Sequence, residues 1–172
     1  MKPVRFAIAI VLPIWAAVTF SAHALAAPTD GADEIRIDVP VVLKKAKVVF
    51  DMDHAVFAGD TPIGLMHMGM MLDRFKQAGT EWTIAGVFHG AAGYMLLNDD
   101  AYNLARMTRT GNPYKAAIAH LLSEGVLIEE CAVTMKANHW TNSNLLPGVK
   151  VNSGANLRIV ELEQQGYVML QP

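Results

Sequence analysis

The chain has 172 residues and a mass of 18.7 kDa, with 14 basic against 16 acidic side chains, 52% hydrophobic residues, ten methionines and one cysteine. That is the length of one domain with enough apolar mass to bury a core, and high apolar content with low net charge excludes a disordered chain. There is no basic block, which excludes a protein that holds nucleic acid by neutralising its phosphates.

The first segment runs from basic Lys2 and Arg5 through an apolar stretch, Phe6 to Phe20, into the small residues Ser21 to Ala27. This is the order of charge, apolar core and small-residue cleavage site found in secretory signal peptides. The apolar run is about 15 residues and is broken by Pro13, short of the roughly 20 that a permanent membrane helix needs. A signal peptide over residues 1–26 is therefore expected, with cleavage after Ala26 or alternatively Ala24. The product is a mildly acidic exported domain, periplasmic or secreted and free of the membrane after cleavage. Residues 27–46, with Pro28, Gly31 and Pro40, read as a flexible leader in which Ile35-Arg36-Ile37 could form an edge strand.

From Lys47 the pattern changes. Val48 to Met52 is a short apolar β-type run ended by Asp53, His54 and Gly59-Asp60. Thr61-Pro62 supplies a helix start, Ile63, Met66, Met70 and Phe75 recur at roughly helical spacing, and Gly79 closes a helix over 62–78. Trp82 to Phe88 is a second strand ending at His89-Gly90. Short helical pieces follow to Met107, then a helix over 113–124 headed by Asn112, which reads as its N-cap, and stopped by Gly125. A third strand, Val126 to Glu129, runs into Glu130-Cys131. Beyond it come a short helix over 132–138, a polar loop, a brief strand at Val149 to Val151, a helix over 154–165 and a closing strand, Tyr167 to Leu170. Short apolar strands alternating with helices imply an α/β domain with a mostly parallel five-stranded sheet covered on both faces, spanning residues 47–172.

Ligands and reactive groups in such sheets collect beyond the carboxyl ends of the strands. Asp53-His54, His89-Gly90, Cys131 and Asn152-Ser153 fall there. A lone cysteine in an exported protein has no partner in its own chain, so it is buried, reactive, or paired with another molecule. Cys131 precedes a helix, where free amide groups favour thiolate over thiol. Glu129 and Glu130 would oppose ionisation, and Lys136 and His139 could offset them. His89, on the adjacent strand end, could polarise the thiol or simply tie down a loop. Asp51 and Asp53 lack the lysine pattern or glycine-rich loop that phosphotransfer would need.

The segments Val87-Phe88-His89-Gly90, Leu121 to Gly125 leading into Val126-Leu127-Ile128-Glu129-Glu130-Cys131, Leu145-Leu146-Pro147-Gly148-Val149 and Gln164-Gln165-Gly166-Tyr167-Val168 resemble the DsrE/DsrF-like sulfur-relay proteins. The resemblance covers about residues 47–172. It implies a flavodoxin-like three-layer α/β/α domain assembling into trimers or hexamers, in which a cysteine at this strand end accepts sulfane sulfur as a persulfide from a donor protein and passes it to an acceptor. By position that catalytic cysteine is Cys131, with His89 and Lys136 as neighbours. No cofactor is implied. The competing reading is a non-catalytic oligomeric module that binds a small ligand or a protein and in which Cys131 is merely buried. Subunit contacts could use the methionine helix or the 94–107 segment, with Tyr94, Met95, Leu96 and Leu97 as candidates.

Met66-His67-Met68-Gly69-Met70-Met71 is rich in thioether and imidazole groups, which suit Cu(I). Met66 and Met70 lie one helical turn apart and are expected to face the core, with His67 and Met71 around the side. Core or interface packing is therefore the preferred reading, and no metal site is expected.

Overall fold

A computed structural model describes residues 35–172, and the expected signal peptide lies outside the described residues. The compact unit Pro40–Pro172 holds all the helices and strands below. In chain order they are β1 (Lys45–Met52), β2 (Phe57–Ala58), β3 (Thr61–Pro62), α1 (Ile63–Ala78), β4 (Glu81–Phe88), a 3-10 segment (Gly90–Leu96), α2 (Asp99–Arg106), α3 (Lys115–Ser123), β5 (Leu127–Cys131), α4 (Ala132–Ala137), a 3-10 turn (Asn142–Asn144), β6 (Lys150–Asn152), α5 (Ala155–Gln164) and β7 (Val168–Leu170). Ile35 to Ile37 form no strand and are exposed.

The five long-range strands make one parallel sheet in the order β6-β5-β4-β1-β7, and β2 and β3 form a small separate hairpin. This is the flavodoxin-like α/β arrangement read from the sequence. Residues that pair across parallel strands point to the same face, so successive residues divide the core in two. On one face Val48, Phe50, Met52, Ile84, Phe88 and Ile128 meet α1, α3, the 3-10 segment and Met135 of α4. On the other, Val49, Ala85, Val87 and Cys131 meet Ala155, Ile159 and Leu162 of α5. The coverage is unequal, since among the described residues α5 is the one helix that packs on the second face.

Three expectations change. The buried face of α1 is Leu65, Met68, Leu72 and Phe75, while Met66 is half-buried and Met70 is 58% exposed. The helix is rotated relative to the expected phase because Gly64, not Ile63, faces Met52. A Cβ on Gly64 would meet the end of the Met52 side chain, which would have to shift to make room for it. Second, Met95, Leu96 and Leu97 are 1% exposed or less and pack in the chain's own core, so they offer no surface to another subunit. Third, α3 begins at Lys115 with Tyr114 at its cap position. Asn112 instead ties the 3-10 segment to this helix: its Nδ2 donates to Met95 O at 2.8 Å and to Leu97 O, and its Oδ1 accepts from Tyr114 N at 2.8 Å.

Strand alternation also sends one carboxyl into the larger core. Glu130 is 0% exposed, its Oε1 accepts the Cys131 N–H at 3.1 Å, and its Oε2 has no partner. Gly93 makes room for it, since a Cβ there would lie 2.8 Å from Oε1. Burial pushes the Glu130 pKa up to about 8, the Cys131 N–H opposing and the charge of the nearby thiolate reinforcing the rise.

Folding therefore holds a proton on Glu130 that the unfolded chain has released, across the interval from the ordinary value of 4.5 to about 8. Stability accordingly falls as pH rises through that interval, by on the order of 1 kcal/mol per pH unit. Glu130→Gln, which mimics the protonated acid, should match the wild type in urea unfolding below the lower limit and become progressively more stable than it toward the upper one. Asn112→Ala should cost about 2–4 kcal/mol in the same measurement, because two buried carbonyls and an amide lose their partners.

Candidate functional site

Register brings the expected strand-end residues to one rim. Met52 pairs with Phe88, Phe88 with Glu130 and Cys131 with Asn152, so Asp53, His89, Cys131 and Ser153 follow one another across the carboxyl edge of β1, β4, β5 and β6. Cys131 is the last residue of β5 and the cap of α4, and its side chain turns to the α5 face.

Two helix starts converge on the sulfur. Ala155 N–H, at the first residue of α5, donates to Cys131 Sγ at 3.4 Å. The Val133 and Thr134 amides in the first turn of α4 and the Thr134 hydroxyl lie around the sulfur without closing a cap, and act through their dipoles. Cys131 is 4% exposed. Burial pushes the thiol up, but the Thr134, Ala155 and Val133 amides and the Thr134 hydroxyl outweigh it, so the net pKa is lowered. Thr134 is itself anchored, because its Oγ1 accepts Gly90 N–H at 2.9 Å.

The two flanking carboxyls are disarmed separately. Glu130 points through the sheet to the other face and is held neutral by burial. Glu129 shares the Cys131 face but is clamped by Arg158 of α5, whose Nε donates to Oε1 and Oε2 at 3.0 and 2.9 Å and whose Nη2 donates to Oε1 at 2.8 Å. Asn152 Nδ2 adds a 3.3 Å contact. Arg158 thus supplies positive charge against Glu129, a role the sequence left open to Lys136 and His139. Lys136 is exposed in the last turn of α4, about 6 Å along the axis from its start, and His139 lies beyond that helix.

His89 is half-buried and bound to another partner: its Nε2 lies 2.7 Å from Asp51 Oδ1. Asp53 pairs with His54 Nδ1 at 2.6 Å and accepts from Gln171 Nε2 at 3.2 Å. Burial raises the Asp53 pKa, the His54 and Gln171 hydrogen bonds and the two imidazoles lower it more, and the net effect holds it below the ordinary value. The rim therefore carries a buried thiol at the end of β5 and a carboxylate-imidazole cluster on β1 and β4.

Beside the thiol, a cleft of about 510 Å³ is lined by Glu129, Lys150, Asn152, Ser153 and Arg158 among others, but not by Cys131. A second cleft of about 540 Å³, at the end of α4, is lined by Tyr94, Arg106, His139 and Trp140 among others. Thr134, Ala155 and Arg158 were not singled out from sequence. Thr134 carried a local signal, standing three residues after a cysteine at a helix cap. Ala155 and Arg158 lie 24 and 27 positions beyond Cys131, and only the β5-β6 pairing brings them near.

No family model and no curated protein matches the chain. Among solved structures, it is similar to MTH1491, a protein of unknown function from Methanobacterium thermoautotrophicum, with 21% identity and a TM-score of 0.58 over 74% of this chain and 99% of that one. It is also similar to the ychN protein of E. coli, with 14% identity and a TM-score of 0.53 over the same shares of the two chains. At these identities the likeness is one of fold, and the fold shared is the parallel α/β domain described above.

Proposed function

We propose that this protein is an exported, oligomeric sulfur carrier of the DsrE-like type, holding sulfane sulfur as a persulfide on Cys131 and exchanging it with a donor and an acceptor protein. The observation that carries the reading is the arrangement of donors around one sulfur, whose pKa they lower despite its burial. Nucleophilic attack on sulfur requires the thiolate, and no second cysteine is present to close an internal disulfide and expel the cargo.

The Cys131 thiolate attacks the outer sulfur of a donor persulfide. A new S–S bond forms on Cys131, the donor's S–S bond breaks, and the donor leaves as a thiolate. The terminal sulfur then carries the negative charge, and an acceptor thiolate removes it by the same exchange in reverse. Cys131 is 4% exposed with Ala155 N–H on its sulfur, so exchange with a partner requires local opening, and the same burial would shield a stored persulfide from stray thiols.

That same burial favours a second reading, a non-catalytic binding module in which the cysteine is packing. Incubation with iodoacetamide and, separately, with a polysulfide donor, followed by intact-mass measurement, separates the two. The carrier reading expects alkylation of Cys131 in the native protein and the gain of one sulfur atom that Cys131→Ser abolishes. A native thiol that neither reagent modifies leaves the binding module standing. Thr134→Val and Arg158→Gln should both raise the thiol pKa, seen as an upward shift in the pH dependence of alkylation. The first removes a donor and the second frees the Glu129 charge. Arg158→Gln should also cost roughly 2–4 kcal/mol in urea unfolding, since it strands a nearly buried carboxylate.

A further inference from the structure

The cleft at the end of α4 takes no part in the sulfur chemistry, and Cys131 does not line it. Its volume of about 540 Å³ is that of a small-molecule site. Gly90 is among its lining residues, which puts it at the carboxyl edge of the sheet, where ligands of parallel α/β domains collect. Tyr94 and the half-buried Trp140 give it aromatic walls that pack against the larger core cluster. Arg106 and His139 line it as well, and no carboxylate does.

The guanidinium is placed and left open. Its central carbon lies 4.3 Å from the centroid of the Tyr94 ring, a stacking that fixes its plane while its in-plane N–H groups remain donors. The Tyr102 and Tyr114 phenols that feel its charge are held above their ordinary pKa by burial and stay neutral. Among the described residues no carboxylate pairs with Arg106 or His139. The backbone carries a second, independent sign. Nine described residues have positive φ, and seven of them are glycine. The other two, Met107 at φ 50° and His139 at φ 58°, both border this cleft: Met107 ends α2 directly after Arg106, and His139 turns the chain out of α4 directly before Trp140. A left-handed conformation costs any residue with a Cβ, so a histidine kept there, where glycine would relieve the strain, marks a side chain in use.

We propose that this cleft binds a small aromatic carboxylate, its ring against Trp140 and Tyr94 and its carboxylate on the Arg106 guanidinium and the His139 imidazole. The guanidinium fork matches a carboxylate in shape as well as charge. A cation would meet Arg106 with nothing to offset it, and a neutral ring would leave the guanidinium unpaired. The site is independent of the sulfur-carrier reading, since Cys131 lies in the cluster beneath α5 on the other face of the sheet.

The test is an NMR titration of the purified protein with three probes of one shape and different charge: benzoate, benzamide and benzamidine. Benzoate should shift the Trp140 indole and the Gly90 and Ala91 amide resonances to saturation, and the neutral and cationic probes should bind more weakly by about tenfold or more. Arg106→Gln should weaken benzoate by a similar factor, the loss of a charge-assisted hydrogen bond. His139→Gly should also weaken it while leaving the urea midpoint unchanged or higher, because glycine accepts the left-handed turn freely. A merely structural histidine would show no such loss of binding. Arg109→Gln, at an exposed basic residue that does not line the cleft, should change nothing. The proposal is overturned if benzoate does not saturate, if benzamide or benzamidine binds as tightly, if Arg106→Gln or His139→Gly binds benzoate as the parent does, or if Arg109→Gln weakens it as much as Arg106→Gln. Sulfur transfer by Cys131 is untouched by any of these outcomes, and its failure would leave the benzoate result standing.

Discussion

A single strand end governs the chemistry of this domain. At Cys131 the chain leaves β5 and enters α4 while the start of α5 arrives from β6, so that one sulfur lies against amide groups from two helices. Burial alone would keep the thiol protonated. The amide and hydroxyl dipoles outweigh it and lower the thiol pKa, because a site closed to water screens them little. The β5-β6 pairing is what holds Ala155 in place, and without the Cys131–Asn152 pairing the sulfur would have only its own helix for support.

The two acidic neighbours show how strand geometry separates groups that are adjacent in sequence. Glu129 and Glu130 look like a block of negative charge against the thiol. Alternation sends them to opposite faces, where each meets a different remedy: a guanidinium clamp for Glu129, and exclusion of water with retention of the proton for Glu130. Glu130 is also coupled to the site without touching the sulfur, because its Oε1 holds the Cys131 N–H. An ionised Glu130 and an ionised Cys131 disfavour one another, so the acid's high pKa and the thiol's low one are parts of a single distribution of charge.

Much of the architecture was legible in the sequence because it is written locally. Apolar runs of strand length, Gly79 in the left-handed conformation at the end of α1, and Gly125 after α3 mark elements that the structure contains. The phase of α1 was not legible, since Ile63, Met66 and Met70 make as good an apolar stripe as Leu65, Met68 and Leu72. The choice between them falls to Gly64, whose missing side chain matters only once Met52 is opposite it. The site divides in the same way. Cys131 and its rim position follow from local pattern. Arg158, the partner of Glu129, follows from tertiary placement, and Lys136 was favoured by mere closeness in sequence.

Burial of the sulfur and reactivity of the sulfur are compatible if they belong to different moments. Ala155 N–H sits on Sγ and favours the anion, and the sulfur is closed off from solvent. The cover is a short turn between a three-residue edge strand and α5, with Ser153 exposed and Gly154 only half-buried. Few buried apolar contacts hold such a segment, and segments of this kind open at a small fraction of the free energy of global unfolding. Connectivity distinguishes the two helices: Cys131 is covalently continuous with α4 and only hydrogen-bonded to the first residue of α5.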